Sequence, residues 1–107
     1  MSDSFKTHVK ARIEIIVEAG ALRRVLDKLD QLDVPGYTVF DASAGRGRGG
    51  RWRADGTLTA SEHMAMVICV IDTARADAVL EAIYKVVSRQ IGIVTVDDVR
   101  VVRADRF

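Results

Sequence analysis

The chain has few of the residues that carry covalent chemistry, bind metals or stiffen a backbone. Its 107 residues include one cysteine, one proline and two histidines. A single cysteine excludes an intramolecular disulfide, and no group of Cys and His has the spacing of metal ligands. Cys69 lies inside an apolar run, where a thiol behaves as a small hydrophobic side chain. Since no Ser/His/Asp or Cys/His arrangement and no grouped carboxylates indicate catalysis, we expect a protein that is not an enzyme.

Long apolar segments are missing as well. No run approaches the roughly 20 residues that span a bilayer, and the stretch Met1–Lys6 lacks the apolar core of a secretory signal. Hydrophobic residues nevertheless make up 49% and charged residues 29% of the sequence, as is typical of a globular chain. We therefore expect a single cytoplasmic domain, residues 1–107, without direct insertion into a membrane.

A net charge of +1 hides an uneven distribution. Between Gly45 and Gly56, four arginines and one aspartate give +3, which leaves −2 for the rest of the chain. Glycine alternates with arginine here, a pattern that suits neither a strand interior nor a stable helix. Glycines let a backbone approach an anion closely, and arginines offer planar, charged forks to phosphate or carboxylate. Two hypotheses stay open: an anion-binding loop, or a solvated, disordered loop that keeps the protein soluble.

The first half of the sequence reads as strand, helix, strand. Alternating apolar and polar residues predict a strand over 6–19, which Gly20 ends. Leucines and Val25 at spacings of three and four predict an amphipathic helix over 21–33. Pro35 and Gly36 stop that helix. A second strand is predicted over 37–44.

The second half repeats this order after a long loop at about 45–61. An apolar stretch over 62–71 predicts a central strand, and Asp72 or Thr73 can cap a helix that runs to about Val87. A turn over 88–92 leads to a last strand over 93–103. Gly36 and Gly92 open corresponding strands in the two halves.

Two such βαβ units predict an α+β fold, a ferredoxin-like βαββαβ sandwich whose antiparallel sheet is covered on one face by two helices. The other face needs cover, and the apolar third strand predicts that another subunit provides it in a symmetric oligomer.

At this point the sequence resembles the PII signal-transduction superfamily over nearly its whole length. The resemblance rests on Gly36-Tyr37-Thr38-Val39, Gly45-Arg46-Gly47, Val79–Ile83, the glycine turn at Gly92, and a basic C-terminal segment with Arg100, Arg103 and Arg106. The short turn at 88–92 and the Gly-Tyr-Thr-Val and Gly-Arg-Gly pattern look most like the PII-like proteins associated with carboxysomes and bicarbonate transporters.

This resemblance implies a homotrimer that binds adenine nucleotides, with ADP or AMP favoured over ATP, in clefts between subunits, and in some members also bicarbonate. A long T-loop, about 45–61 here, would pass the ligand state to a protein partner such as a bicarbonate transporter or a carboxysome component. No obligatory cofactor and no metal is implied. The residues assigned to the nucleotide are Gly36, Tyr37, Thr38, Gly45, Arg46, Gly47, Gln90, Ile91, Gly92, Arg103 and Arg106.

Two smaller sets complete the predicted site. Arg46 and Arg48 are the candidates for bicarbonate, because a guanidinium binds it through paired hydrogen bonds as it binds a carboxylate. Arg51, Trp52 and Arg53 are the candidates for partner contact, because Trp and Arg dominate binding hot spots.

The sequence also departs from the resemblance in its long loop. Tyr37 and Tyr84 both lie outside the T-loop, so control by uridylylation of a T-loop tyrosine is not expected. No glutamine follows the T-loop base, and the turn at 88–92 is short, so neither 2-oxoglutarate sensing nor firm triphosphate binding is expected.

RNA binding is the alternative, since an Arg-Gly-rich loop here accompanies the frame of RNA-recognition domains. Those domains stack bases on sheet aromatics, which the first and third predicted strands lack, so we expect no nucleic-acid partner.

Overall fold

The computed structural model describes residues 6–47, 50–53 and 63–103. In chain order these residues form β1 (His8–Glu18), α1 (Ala19–Gln31), β2 (Thr38–Asp41), β3 (Ala44–Gly47), β4 (Gly50–Arg53), β5 (Met64–Ile71), α2 (Thr73–Val87) and β6 (Gly92–Val101). The two predicted helices and the four predicted strands are confirmed in order and type, with ends that differ from the predictions by a few residues. The strands β3 and β4 were not predicted.

Four strands form one antiparallel sheet in the order β2-β5-β1-β6. Ile15 of β1 stands opposite Val67 of β5 and Val94 of β6. Both helices lie on one face of the sheet, where α1 contacts β1 and β5 while α2 contacts β1 and β6. This is the predicted ferredoxin-like βαββαβ sandwich, and it leaves β2 and β6 as the two edge strands.

The core lies between the helices and the sheet. Alternate residues of β1 and β5 meet helix residues spaced by three and four, so that a single apolar layer forms. Each large side chain in this layer contributes about 1.5–3 kcal/mol by its burial. Those that are completely or almost completely buried are Ile13, Ile15, Val17, Val25, Leu29, Val67, Ile71, Val79 and Ile83.

Two sequence-based predictions about where the helices begin need correction. Gly20 does not end the first strand; it lies in the first turn of α1, which begins at Ala19. The N–H groups of a first turn have no intrahelical partner, so glycine costs little there, and the Ala19 N–H donates instead to the carbonyl of His63 at 2.7 Å. Asp72 occupies the N-cap of α2 without a side-chain cap, because its carboxylate pairs with Lys10 of β1.

Neither α1 nor α2 covers the second face of the sheet. One row of apolar side chains crosses all four strands, because the register aligns Phe40, Met66, Ile16 and Ile93. Phe40 and Ile93 are 47% and 57% exposed. A neighbouring row is ionic: Arg12 pairs with Glu14 at 2.8 Å and approaches Asp97 at 3.8 Å. Among the described side chains on this face, Phe40 is the aromatic one, which gives RNA bases little to stack on.

The glycine–arginine segment is where the sequence-based prediction was wrong. Residues 44–47 and 50–53 pair as an antiparallel ribbon, β3 with β4, separate from the main sheet. A two-stranded ribbon needs no buried face, so the missing apolar alternation did not exclude it; glycine lowers its stability without preventing the pairing. We call residues 44–53 the arm. The rest of the predicted loop, including Arg48, lies outside the described residues.

Candidate functional site

A solvent-open cleft of about 410 Å³ lies at the edge of the sheet, between the start of β2 and the end of β5. Its volume is in the range of small-molecule sites. The lining is partly apolar and partly backbone: Pro35, Gly36, Tyr37, Thr38, Ile68, Cys69 and Val70. Three of the predicted nucleotide residues, Gly36 to Thr38, therefore share one cavity.

Gly36 leaves the wall of this cleft open. A Cβ built on Gly36 would meet no atom within 4 Å, and the residue is exposed. The glycine is therefore not required by packing within the chain. What its missing side chain provides is access to the backbone from the cleft.

The edge of β5 at Val70 presents an unused pair of backbone groups to the cleft. β2 begins at Thr38, opposite Ile68, so β5 extends beyond the end of its neighbour. The Ala42 N–H donates to the Met64 carbonyl at 2.9 Å, and backbone groups of an antiparallel strand alternate between its two sides. The N–H and C=O of Val70 therefore point toward the cleft, and no backbone hydrogen bond within the described residues joins them to residues 35–37.

Tyr37 anchors the cleft to α1. Its ring packs partly against the core, and its hydroxyl donates to Asp30 Oδ1 at 3.1 Å. The hydrogen bond to the Asp30 carboxylate raises the pKa of Tyr37, helped by burial and by the negative charges of Asp30 and Asp27. Tyr37 also borders a second groove of about 360 Å³ along α1, next to Leu22 and Leu26. The side chain of Tyr37 therefore lies toward α1, where its hydroxyl is hydrogen-bonded.

Cys69 carries no reactivity that the cleft could use. The side chain is 2% exposed, and burial raises the pKa of its thiol. Since the thiolate is the nucleophilic form, this cysteine acts as a packing residue, as the sequence predicted.

The turn before β6 is held by a polar cluster that the sequence did not reveal. With its amide oriented for hydrogen bonding, Gln90 donates to Glu18 Oε1 at 2.6 Å and accepts from Arg24 Nη2 at 2.9 Å. The Glu18 N–H donates to the Ile91 carbonyl at 3.1 Å, and the Ile91 N–H reaches Glu18 Oε1 at 3.4 Å. The side chain of Gln90 and both backbone groups of Ile91 are therefore engaged inside the chain, as is the Gln90 N–H, which donates to the Val87 carbonyl at 2.8 Å.

Gly45, Arg46 and Gly47 form β3 of the arm. The register sets Arg46 opposite Arg51, and like charges at one such position destabilise a strand pair. The side chain of Arg46 is exposed. The arm thus places positive charge beyond the far end of β2 from the cleft.

The structure does not bring all predicted residues together within one chain. Gly36 to Thr38 lie at the β2 edge, whereas Gln90 to Gly92 and Arg103 lie along or just beyond β6. Two strands separate these edges, so about 14 Å lies between them at the usual strand spacing. A site that uses both sets needs a second copy of the chain. Arg106, the remaining predicted residue, lies outside the described part.

Two further properties concern ligands and membranes. Within residues 6–47, 50–53 and 63–103, no three His, Cys, Asp or Glu side chains group as metal ligands would. Neither helix in the described part is long and apolar enough to cross a lipid bilayer.

Fold and cleft together define an α+β, ferredoxin-like domain with a ligand-sized opening at the start of β2 and a basic arm beyond the end of that strand. The chain belongs to the nitrogen regulatory protein P-II family, whose model matches residues 10–106. Searched against curated proteins, the sequence has no match.

Solved structures support this membership. CPII, a nitrogen regulatory PII-like protein from Thiomonas intermedia K12 bound to ADP, AMP and bicarbonate, is 25% identical, with a TM-score of 0.81 over 94% of each chain. A CPII structure with ADP and bicarbonate gives 0.80 at 25% identity, over 94% of this chain and 95% of that one. A DUF3240 family protein from Shewanella baltica OS155 shares the fold, at 15% identity and a TM-score of 0.65 over 81% of this chain and 86% of that one.

Proposed function

We propose that this PII-like protein is a non-enzymatic cytoplasmic regulator that binds adenine nucleotides, ADP or AMP in preference, in clefts between copies of the chain. The nucleotide state is passed through the arm to a protein partner in inorganic carbon transport or metabolism. Family membership supports the signalling class, and CPII bound to ADP, AMP and bicarbonate supports the ligands.

The observation that carries the nucleotide proposal is the Val70 edge beside Gly36. An adenine edge offers an amino donor next to a ring-nitrogen acceptor, and an unpaired strand N–H and C=O form the complementary pair. Pro35 and Ile68 supply apolar walls for the faces of the base. The missing Cβ at Gly36 leaves room for the ring or its ribose.

The phosphates would extend from the cleft along β2 toward the arm. The base would lie at Val70 and the phosphates would point along β2, which spans about 13 Å, toward the arm, whose Arg46 follows the end of β2 by five residues. The exposed guanidinium of Arg46 favours an anion in this position. Bicarbonate, which Arg46 and Arg48 would hold, is a planar anion that fits the same guanidinium chemistry.

A trimer would complete the site. The predicted residues on β6 and beyond it, Gly92 and Arg103, would come from a neighbouring copy, because they lie at the opposite sheet edge. The open sheet face offers the apolar row through Ile16 and Met66 as the surface between copies. Burial of exposed apolar area is the main driving force for such association.

Partner contact is assigned to β4. Arg51, Trp52 and Arg53 stand on one strand of the arm. A ligand that changes the conformation of the arm also changes the surface that these residues offer to a partner. A bicarbonate transporter or a carboxysome component would then bind differently to each nucleotide state.

Calorimetry tests this proposal directly. ADP, AMP, ATP and cyclic AMP are titrated with and without bicarbonate into protein whose oligomeric mass is known from light scattering. We expect a trimer that binds ADP or AMP more tightly than ATP, with affinity raised by bicarbonate. A trimer that binds none of these ligands would overturn the nucleotide proposal, and a monomer that binds ADP would overturn the shared site.

Arg46→Ala is the matched test of the phosphate end. Losing one arginine that contacts an anion costs roughly 1.5–3 kcal/mol of binding free energy, or about 10- to 150-fold in Kd. Arg23→Ala, an exposed arginine on α1, removes the same charge elsewhere and should leave the Kd unchanged. Equal effects of both substitutions would mean that net charge, not a phosphate site at Arg46, sets the affinity.

A further inference from the structure

The segment that joins α1 to β2 forms one wall of the cleft. After α1 ends, the N–H groups of Leu32, Asp33 and Val34 donate back to the last turns of the helix at 3.0, 3.0 and 3.2 Å. Pro35 and Gly36 follow and are exposed. Their own packing therefore does not set where this wall stands.

Arg75 holds the carbonyls of this segment from the first turn of α2. Its Nη2 donates to the Leu32 carbonyl at 2.5 Å, and its Nη1 donates to the Asp33 carbonyl at 3.4 Å. Arg75 is partly buried, and its backbone N–H donates to the Asp72 carbonyl at 3.0 Å. The rigid fork of a guanidinium suits two successive carbonyls as it suits the two oxygens of a carboxylate.

The residue under this fork has a strained backbone. Asp33 has φ of 55°, the positive-φ non-glycine residue among those described. A left-handed conformation costs about 1–2 kcal/mol for a residue with a side chain and persists only where its surroundings hold it. The Asp33 and Val34 N–H groups hold this conformation against α1, and Arg75 adds a restraint from α2 on the Leu32 and Asp33 carbonyls, just before Pro35.

We propose that Arg75 is a positioning residue for the nucleotide cleft. By binding the Leu32 and Asp33 carbonyls it fixes the turn that places Pro35 and Gly36 opposite Val70. Tyr37, bound to Asp30, anchors the other end of the same wall. This inference rests on the proposed function and names a residue outside the cleft itself.

The test compares ADP affinity among variants at a temperature where all of them are folded. Arg75→Met removes both donors and keeps most of the aliphatic stem. Outer-shell residues that orient metal ligands contribute about 10- to 100-fold to affinity; by analogy we expect the Kd for ADP to rise about tenfold. Arg23→Met, an exposed arginine on α1, is the matched control and should bind ADP as the wild type does.

A compensating variant separates positioning from stability. Glycine adopts a φ of 55° without strain and is the usual residue at such a helix end. Asp33→Gly combined with Arg75→Met should therefore return the Kd to within about threefold of the wild type. Hydrogen exchange of the ligand-free protein supplies a second readout: Arg75→Met should speed exchange at residues 34–38 and leave β1 and β5 unchanged.

The outcomes are distinct. If the wild type binds ADP and the Arg75→Met variant binds it with the same Kd, the positioning role is overturned. Faster exchange throughout the chain also overturns it, because Arg75 would then act only on global stability. Wild type that binds no adenine nucleotide overturns the proposed function and the role of Arg75 with it.

Discussion

Gly36 and Gly92 stand at corresponding places in the two βαβ halves, yet their surroundings differ. A Cβ on Gly36 would point into open space. A Cβ on Gly92 would lie 2.4 Å from the Ile16 carbonyl oxygen and 3.0 Å from Val17 Cγ1. One glycine leaves a cleft open, and the other lets two strands approach each other.

This difference extends to the residues around each glycine. Near Gly92, the side chains of Glu18, Arg24 and Gln90 satisfy one another and close the turn. Near Gly36, the Val70 backbone groups face a cleft and the wall is held from a distance by Arg75. Side chains of the β6 turn thus satisfy one another, whereas at the β2 edge the Val70 backbone groups face an open cleft.

Gly92→Ala should have the largest effect on stability. The new methyl group meets a backbone carbonyl, which cannot rotate away, so we expect a loss of about 2–3 kcal/mol, within the usual range for overpacking. Thermal and urea unfolding measure it, and a loss of that size lowers the Tm by about 10 °C or more. Gly36→Ala is the control and should change stability by less than about 0.5 kcal/mol. If both substitutions cost the same, the two glycines are not used differently.

Gly36 should instead govern binding. In the series Gly36→Ala and Gly36→Val, the side chain grows into the space proposed for the nucleotide, so the Kd for ADP should rise stepwise, by roughly tenfold for valine at about 1.4 kcal/mol per factor of ten. Calorimetry gives the Kd and a melting curve confirms the fold. Unchanged affinity of the valine variant would move the ligand away from this wall.

The polar cluster at the β6 turn should show a smaller effect. Gln90→Ala removes two side-chain hydrogen bonds and Arg24→Met removes one, at a cost of about 1 kcal/mol per bond. Because the two side chains bind each other, the double variant should lose less than the sum of the single losses. Fully additive losses would show that the Arg24 and Gln90 side chains do not interact in solution.

The sheet and helices could be predicted from the sequence because one covered face imposes clear periodicities. Ile13 and Ile15 alternate with polar residues along β1, and Val25 and Leu29 recur at helical spacing along α1. The arm at 44–53 could not be predicted this way, because its pairing rests on backbone hydrogen bonds and leaves no apolar pattern. The prediction that Gly20 ends the first strand was wrong for a similar reason: the N–H of Ala19, at the start of α1, donates to the carbonyl of His63, which is far away in the sequence.

The candidate site was only partly predictable. Gly36 and Tyr37 can be picked out by residue type, one because it lacks a side chain and the other because it is aromatic, and the structure places both at the cleft. Val70 contributes through its backbone, so its residue type carries no signal. Arg75 acts on carbonyls more than 40 residues away in the chain, which only the packing of α2 beside α1 reveals.

The hydrogen bond between Tyr37 and Asp30 gives the smallest and most specific prediction for the β2 side. The pKa of Tyr37 is raised in the folded state. The stability that this hydrogen bond contributes is therefore present below the unfolded tyrosine pKa of about 10 and is lost as pH rises through the higher folded value. In a Tyr84→Phe background Tyr37 is the remaining tyrosine, and its phenolate absorbance should titrate with a midpoint above 10. Asp30→Ala in the same background should lower that midpoint. A midpoint that does not respond to Asp30→Ala would mean that Asp30 does not hold Tyr37 in solution, and the wall of the cleft would then depend on Arg75 and the packing of Val34.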